Sequence, residues 1–305
     1  MKLLSLLIFS LLFSLVASLS VQAAPFSAAV YNRPEVQQEL AYLQKHPSHL
    51  ARSRARAETW LPHLLPMLRQ RQLPLELVWL PVVESAYQTG AESPVGAAGL
   101  WQFMPATAQH FGLIIDNEFD GRYATLSASR AAMQYLSQLH QYFDGDWLLA
   151  LAAYNAGEGR VARAIKKSGT RDFWQLPLPE ETRRYVPRFI AVQKLLAIPY
   201  TRTPSPLTEH KIQGPIALTQ LARHLGVPVA ELKHWNGAIK GQMLSQAREY
   251  SILVADKGHY QADPHVVIAP QPLFMAPAAG LDISATGALF SAGTAIFDAA
   301  PPPGW

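Results

Sequence analysis

One carboxyl, Glu84, closes an apolar run, Leu73-Pro74-Leu75-Glu76-Leu77-Val78-Trp79-Leu80-Pro81-Val82-Val83-Glu84-Ser85. Desolvation by neighbours such as Val82, Val83 and Trp101 disfavours its charged form. If the run is helical, Glu84 lies near the C-terminal end, where the partial negative charge of the helix acts in the same direction. Both effects favour the protonated state at neutral pH, which is what a general acid needs. The plain alternative is a surface Glu that ends a helix. Two later segments weigh against it. Gly96-Ala97-Ala98-Gly99-Leu100-Trp101-Gln102-Phe103-Met104-Pro105 and Ala153-Tyr154-Asn155-Ala156-Gly157 are rich in Gly, amide and aromatic groups. With a protonated carboxyl, such segments suit the cleavage of a sugar polymer.

The elements that must position these residues read as mainly α. Residues 24–72 are polar and helical in pattern. Pro34 opens a helix through Val36, Leu40 and Leu43 that ends before Pro47. Ser48 is the expected cap of a second helix carrying Leu50, Trp60, Leu64 and Leu65, with Pro62 and Pro66 interrupting it. Within 73–200, Ser127 is the expected cap of a helix bearing Ala131, Met133, Tyr135, Leu136 and Leu139. A further helix begins near Asp146, and another runs from Thr182 through Val186, Phe189, Ile190, Val192 and Leu195. No sustained period-two alternation occurs there. Pro204 and Pro206 mark a linker. Beyond it, Leu218, Leu221, Ala222, Leu225, Val227, Leu232 and Trp235 suggest two short helices, and Tyr250-Ser251-Ile252-Leu253-Val254 reads as a strand. Pro, Ala and Gly dominate from residue 263 to 305, where a flexible tail is expected.

The chain has 305 residues, no Cys and a formal net charge of +4. Disulfides and thiolate metal sites are therefore excluded. A basic balance suits an anionic partner, whether wall polymer or nucleic acid. The one concentrated basic group, Arg52, Arg54, Arg56, Arg69 and Arg71, reads as a solvated helix face. Lys2, the apolar run Leu3 to Val16 and the small-residue site Val21-Gln22-Ala23 have the layout of a secretory signal over residues 1–23. Whether cut after Ala23 or kept as an anchor, such a segment leads to the expectation that the remainder lies outside the cytoplasm, in the periplasm or cell envelope. No His-Glu-x-x-His pattern and no phosphate loop is present, and Gly157-Glu158-Gly159 lacks the strand and third Gly of a dinucleotide site. Neither metal nor cofactor is expected.

Four blocks carry a family resemblance: Glu84-Ser85, Ser93 through Pro105, Ala153 through Gly157, and Glu181-Thr182-Arg183-Arg184-Tyr185-Val186. Together they resemble the signature of lytic transglycosylases, most nearly the membrane-bound D type. The resemblance covers roughly residues 73–200. It implies a goose-type, SLT, lysozyme-like α domain preceded by the helical extension 24–72. The implied reaction cleaves the β-1,4 bond between N-acetylmuramic acid and N-acetylglucosamine and leaves a 1,6-anhydro product. Glu84 would be the single catalytic group, first acid and then base, unlike the usual pair of carboxylates. Carried over position by position, Ser93, Gln102, Met104, Tyr154, Asn155, Glu181 and Tyr185 would line or support the substrate cleft. Taken alone, Ser93 reads as a turn residue, Tyr154 and Tyr185 as core tyrosines, and Glu181 as a complement to a helix N-terminus. The implied partner is the glycan strand of peptidoglycan rather than nucleic acid, with peripheral association with wall or membrane.

Residues 206–258 resemble the helical part of a LysM module, so a small α+β unit is expected. The usual opening strand is read as missing, with Gln213-Gly214-Pro215-Ile216 in its place, and the closing turn is also absent. Its glycan affinity is left open against a packing role. Two alternatives remain. A water-using muramidase would need a second carboxylate, for which Glu92, Asp116, Asp120 and Glu158 are candidates. A non-catalytic wall-binding protein would have no use for an acid in an apolar setting.

Overall fold

The computed structural model describes residues 26–198 and 206–256. The expected signal at 1–23 and tail at 263–305 lie outside the described residues. The helical extension comprises α1 (Ala28–Tyr31), α2 (Pro34–Lys45), α3 (Pro47–Glu58) and α4 (Leu61–Gln70). A 3-10 turn, Leu75–Trp79, leads into α5 (Leu80–Ser85). Then follow α6 (Pro105–His110), α7 (Thr125–Tyr142), α8 (Trp147–Ala156), α9 (Glu158–Ser168) and α10 (Glu180–Leu195). The last unit holds β1 (Leu207–Gln213), β2 (Ile216–Ala217), α11 (Leu218–His224), α12 (Val229–Trp235), β3 (Met243–Leu244) and β4 (Glu249–Ala255). The chain is thus mainly α, with two small antiparallel strand pairs, β1 with β4 and β2 with β3.

Local chemistry explains most boundaries. Pro34 and Pro47 stand at helix starts, where the missing N–H costs nothing. The Asp146 carboxylate accepts from the N–H groups of Leu148 and Leu149 and caps α8. Ser48 and Ser127 do not cap, contrary to expectation. His46 and Ala124 precede α3 and α7, so both serines fall inside the first turn. Pro62 falls in the first turn of α4 and Pro66 within it, so the Pro-interrupted stretch resolves into α3 and α4.

The LysM-like unit has an opening strand, which corrects the sequence reading. β1 ends at Gln213 and pairs along its length with β4, Leu207 opposite Ala255 and Gln213 opposite Glu249. Leu207, His210 and Ile212 turn inward. Glu209 and Lys211 obscure the alternation in the sequence, yet both have ion-pair partners, Arg130 and Glu249 respectively.

Two apolar cores result, and each borrows from the other. The large one unites the extension with α5–α10, and Leu207 and Leu253 from the strand pair join it. The small one fills the LysM-like unit, and Phe119 from the segment before α7 enters it, 5.3 Å from the Tyr250 ring. A buried ion pair, Arg188 with Glu39 at 2.8 Å, ties α10 to α2. Among the described residues no helix is long and apolar enough to cross a membrane.

Candidate active site

α5 is only six residues long, and all six are buried. Two successive left-handed residues, Ala86 (φ 51°) and Tyr87 (φ 62°), end it one residue after Ser85. Each such residue without Gly costs roughly 1–2 kcal/mol, so neighbours must hold it. They do: Tyr87 N–H reaches Pro81 O at 3.0 Å, and Tyr87 Oη donates to Val78 O at 2.9 Å. Arg56 Nη1 donates to Ala86 O at 3.1 Å. Arg56 is therefore half-buried at the turn after Glu84, while Arg52, Arg54, Arg69 and Arg71 form the exposed face expected of them.

Glu84 is 7% exposed. Burial pushes its carboxyl up to about 8; the Tyr185 hydroxyl bonded to it opposes the rise, and the nearby Glu181 charge adds to it. Tyr185, on α10, donates its phenol O–H to Glu84 Oε1. Glu84 also acts on Tyr154, whose phenol is raised by burial and by the Glu84 charge. Tyr154 is spent otherwise, its O–H donating to Trp101 O at 3.0 Å. Asn155 Nδ2 donates to Glu181 Oε1 at 3.2 Å, and Thr182 Oγ1 donates to Asn155 Oδ1 at 2.7 Å. α8 and α10 are thus stitched together next to the carboxyl.

The 91–104 segment folds back on itself. Ala98 and Phe103 exchange N–H···O bonds at 3.0 and 3.1 Å. The Ser93 hydroxyl accepts from Ala97 N–H at 2.9 Å, so it serves the turn. Gln102 sits at φ 49°, and its amide nitrogen, Nε2, donates to Gly99 O (2.9 Å) and Ala91 O (3.3 Å). Its Oε1 is buried with no partner, so the group offers an acceptor rather than donors. Met104 stands half-buried just before α6, outside this bonded network. Ser85 Oγ, adjacent to Glu84, reaches Leu100 O at 2.9 Å and so joins the segment to α5.

Of the four carboxylates weighed as a second catalytic group, three are committed elsewhere. Asp116 is paired with Arg248, Asp120 is clasped by Arg122, and Glu158 accepts from Tyr135 Oη at 3.2 Å. Glu92 is exposed and accepts from Tyr123 Oη. The carboxylate whose charge acts on Glu84 is Glu181. Sequence reasoning missed Ser85, Arg56 and Arg122 as supports of the site. Asp120 and Arg122, two residues apart and of opposite charge, were the only visible signal of the last.

Residues 66–177 match the Transglycosylase SLT domain family. Residues 207–256 match a second family, the LysM-like domain of lytic transglycosylase MltD. Membrane-bound lytic murein transglycosylase D of Escherichia coli strain K12 is 36% identical over 233 residues, 72% of this chain and 51% of that protein. The soluble lytic murein transglycosylase of the same strain is 34% identical over 124 residues, 35% of this chain and 18% of that one. An X-ray structure of an inactive mutant of lytic transglycosylase Slt from Pseudomonas aeruginosa aligns at 34% identity and a TM-score of 0.38, covering 43% of this chain and 23% of that one. The chain spans about half the length of the membrane-bound relative it matches.

Proposed function

We propose that this protein is a peptidoglycan lytic transglycosylase that uses Glu84 alone as acid and then base. The observation that carries the reading is a buried carboxyl that accepts from the Tyr185 hydroxyl, its one hydrogen-bond partner among the described residues, and whose pKa burial pushes up to about 8. An acid in this state can give its proton to the glycosidic oxygen between N-acetylmuramic acid and N-acetylglucosamine. The substrate's acetamido carbonyl supports the ring carbon as the bond breaks. The Glu84 carboxylate so formed, held by Tyr185, then takes the proton of the C6 hydroxyl as that oxygen closes the 1,6-anhydro ring. No water enters the products. Gln102 Oε1 is suited to accept from a sugar hydroxyl, Ser93, Tyr154, Asn155 and Glu181 hold the walls of the cleft, and Met104 lines a subsite. The catalytic domain is residues 73–200, with 24–72 as its support and 206–258 as the LysM-like unit.

The likeness of residues 66–177 to SLT domains supports this reading, as do the murein transglycosylases among the relatives. The commitment of Asp116, Asp120 and Glu158 to other partners weighs against a two-carboxylate hydrolysis. The protein would act on glycan strands in the cell envelope after the leader at 1–23 has directed export, in peripheral association with the wall or membrane. The test is mass spectrometry of muropeptides from sacculi digested by wild type and by Glu84→Gln. Anhydro-muramic ends from wild type only are expected. Reducing ends would mean hydrolysis, and release by both proteins would mean that Glu84 is not the acid.

A further inference from the structure

We infer that the LysM-like unit is a clamp that sets the geometry of the 91–104 segment, working through Arg122 as a positioning residue. The inference rests on the catalytic reading of Glu84 for its kinetic consequence, though the mechanical coupling stands by itself.

The coupling begins where the two units interlock. Phe119 forms an antiparallel bridge with Ile239 and places its ring in the core of the LysM-like unit. Asp120 N–H donates to Ala238 O at 2.8 Å, and Lys240 N–H to Glu118 O at 2.9 Å. Side chains reinforce the strip. Ser245 N–H and Oγ bond Glu118 Oε2 at 2.8 and 2.7 Å, Arg248 pairs with Asp116, and Lys240 Nζ lies 3.6 Å from Asp120 Oδ2. Residues 116–120 are therefore bonded by backbone and side chains to residues 238–248 of the second unit.

Asp120, 1% exposed, passes this placement on. Its two oxygens accept from Arg122 Nε at 3.0 Å and Nη2 at 2.7 Å, a fork that fixes the guanidinium plane. The remaining terminal nitrogen, Nη1, donates to Gly96 O at 2.7 Å and Phe103 O at 3.4 Å, the two ends of the fold-back that contains Gln102. Gly99 packs directly on the same residue: a Cβ there would lie 1.9 Å from Arg122 O. From Leu100, the Ser85 hydroxyl carries the connection to the residue beside Glu84. A shift of about 1 Å in such a segment can cost on the order of a hundredfold in rate, so a buried clamp on it has kinetic leverage.

The test compares three full-length proteins with wild type: Arg122→Lys, which keeps the charge but loses the fork; Lys240→Ala with Arg248→Ala, which loosens the second unit without altering the first; and Arg130→Ala as control. Arg130 joins α7 to Glu209 of β1, a contact that does not lead to the 91–104 segment. Turnover on soluble glycan strands is measured with amide hydrogen exchange at residues 96–103. Arg122→Lys and the double variant are expected to lower kcat about tenfold, leave KM within about twofold and speed exchange at 96–103. The control should change neither. Unchanged kcat and exchange with a lower melting temperature would reduce the contact to plain structural support and overturn the inference. A raised KM with unchanged kcat would overturn it too, because it would make the unit a glycan anchor. If no protein turned over glycan, the catalytic reading would fail while the exchange data still decided the coupling.

Discussion

Two carboxyl groups in this molecule are almost equally buried and behave in opposite ways. Glu84, at the end of α5, is 7% exposed, and Asp120, before α7, is 1% exposed. For both, loss of water favours the neutral acid. At Asp120, the Arg122 hydrogen bonds and the Arg122 and Lys240 charges overcome that penalty and hold the carboxyl below its ordinary value. At Glu84 no cation answers among the described residues; a phenol donates one hydrogen bond, the neighbouring carboxylate repels, and the group rises to about 8. Burial thus does not by itself make an acid catalyst. What counts is burial with one neutral donor, which leaves the proton on but supports the anion once it has gone. Burial with a fork of cationic donors makes a fixed strut.

The sharpest break of the comparison is Glu84→Gln. The amide keeps the shape and cannot move a proton, so release from sacculi should fall by about 10²–10⁴-fold or more. In wild type, kcat/KM should decline as pH rises through about 8, where Glu84 loses the proton it must give. Stability should move with the same group. Its value is near 8 in the folded chain against 4.5 for the ordinary group, so the folded state holds the extra proton between those values. Wild type therefore loses stability relative to Glu84→Gln as pH climbs from about 4.5 to about 8, at up to about 1.4 kcal/mol per pH unit. Denaturation midpoints of the two proteins across that range check the sign; a gap that does not widen with pH would mean a carboxyl ionised at its usual value.

Asp120→Ala attacks the other side. It leaves the Arg122 guanidinium, 8% exposed, without its counter-ion, and the expected loss is about 3–5 kcal/mol by urea denaturation at pH 7. The pH dependence is the reverse of that at Glu84. The stabilisation from Asp120 is present above its ordinary value of 3.8 and is lost as the solution is acidified below it. A loss under about 1 kcal/mol would class the pair with exposed ion pairs and remove the contrast.

How much of this the sequence discloses depends on how far apart the partners lie. The apolar run before Glu84, the helix start near Asp146 and the helix opened by Pro34 are local, and each is legible from a few adjacent residues. Three of the four blocks, Glu84-Ser85, Ser93 through Pro105 and Ala153 through Gly157, fall inside the SLT match at 66–177, because their order survives as pattern; the fourth, at 181–186, lies beyond it. The Glu84–Tyr185 bond joins residues 101 apart, and nothing in either stretch says which tyrosine would meet the acid. Asp120 was read as a candidate second catalytic carboxylate because its fate depends on where Arg122 points. β1 was missed because Glu209 and Lys211 break the apolar alternation, and their partners lie on α7 and β4. Composition shows which charges exist; tertiary packing decides which are neutralised.

The smallest expected effect is the finest probe of the contrast. Tyr185→Phe removes the phenol that donates to Glu84 and leaves the aromatic ring in its buried place on α10. A hydrogen bond to a charged group contributes about 1.5–3 kcal/mol, and here it favours the anion. Its loss should raise the Glu84 value further, since this bond opposes the effect of burial. The alkaline limb of kcat/KM should then move to higher pH. The rate below that limb should fall about tenfold, because the carboxylate left after proton transfer has lost its support. A lower rate with the limb unmoved would mean that Tyr185 only packs against the acid, and a limb moved to lower pH would reverse the sign assigned to the bond.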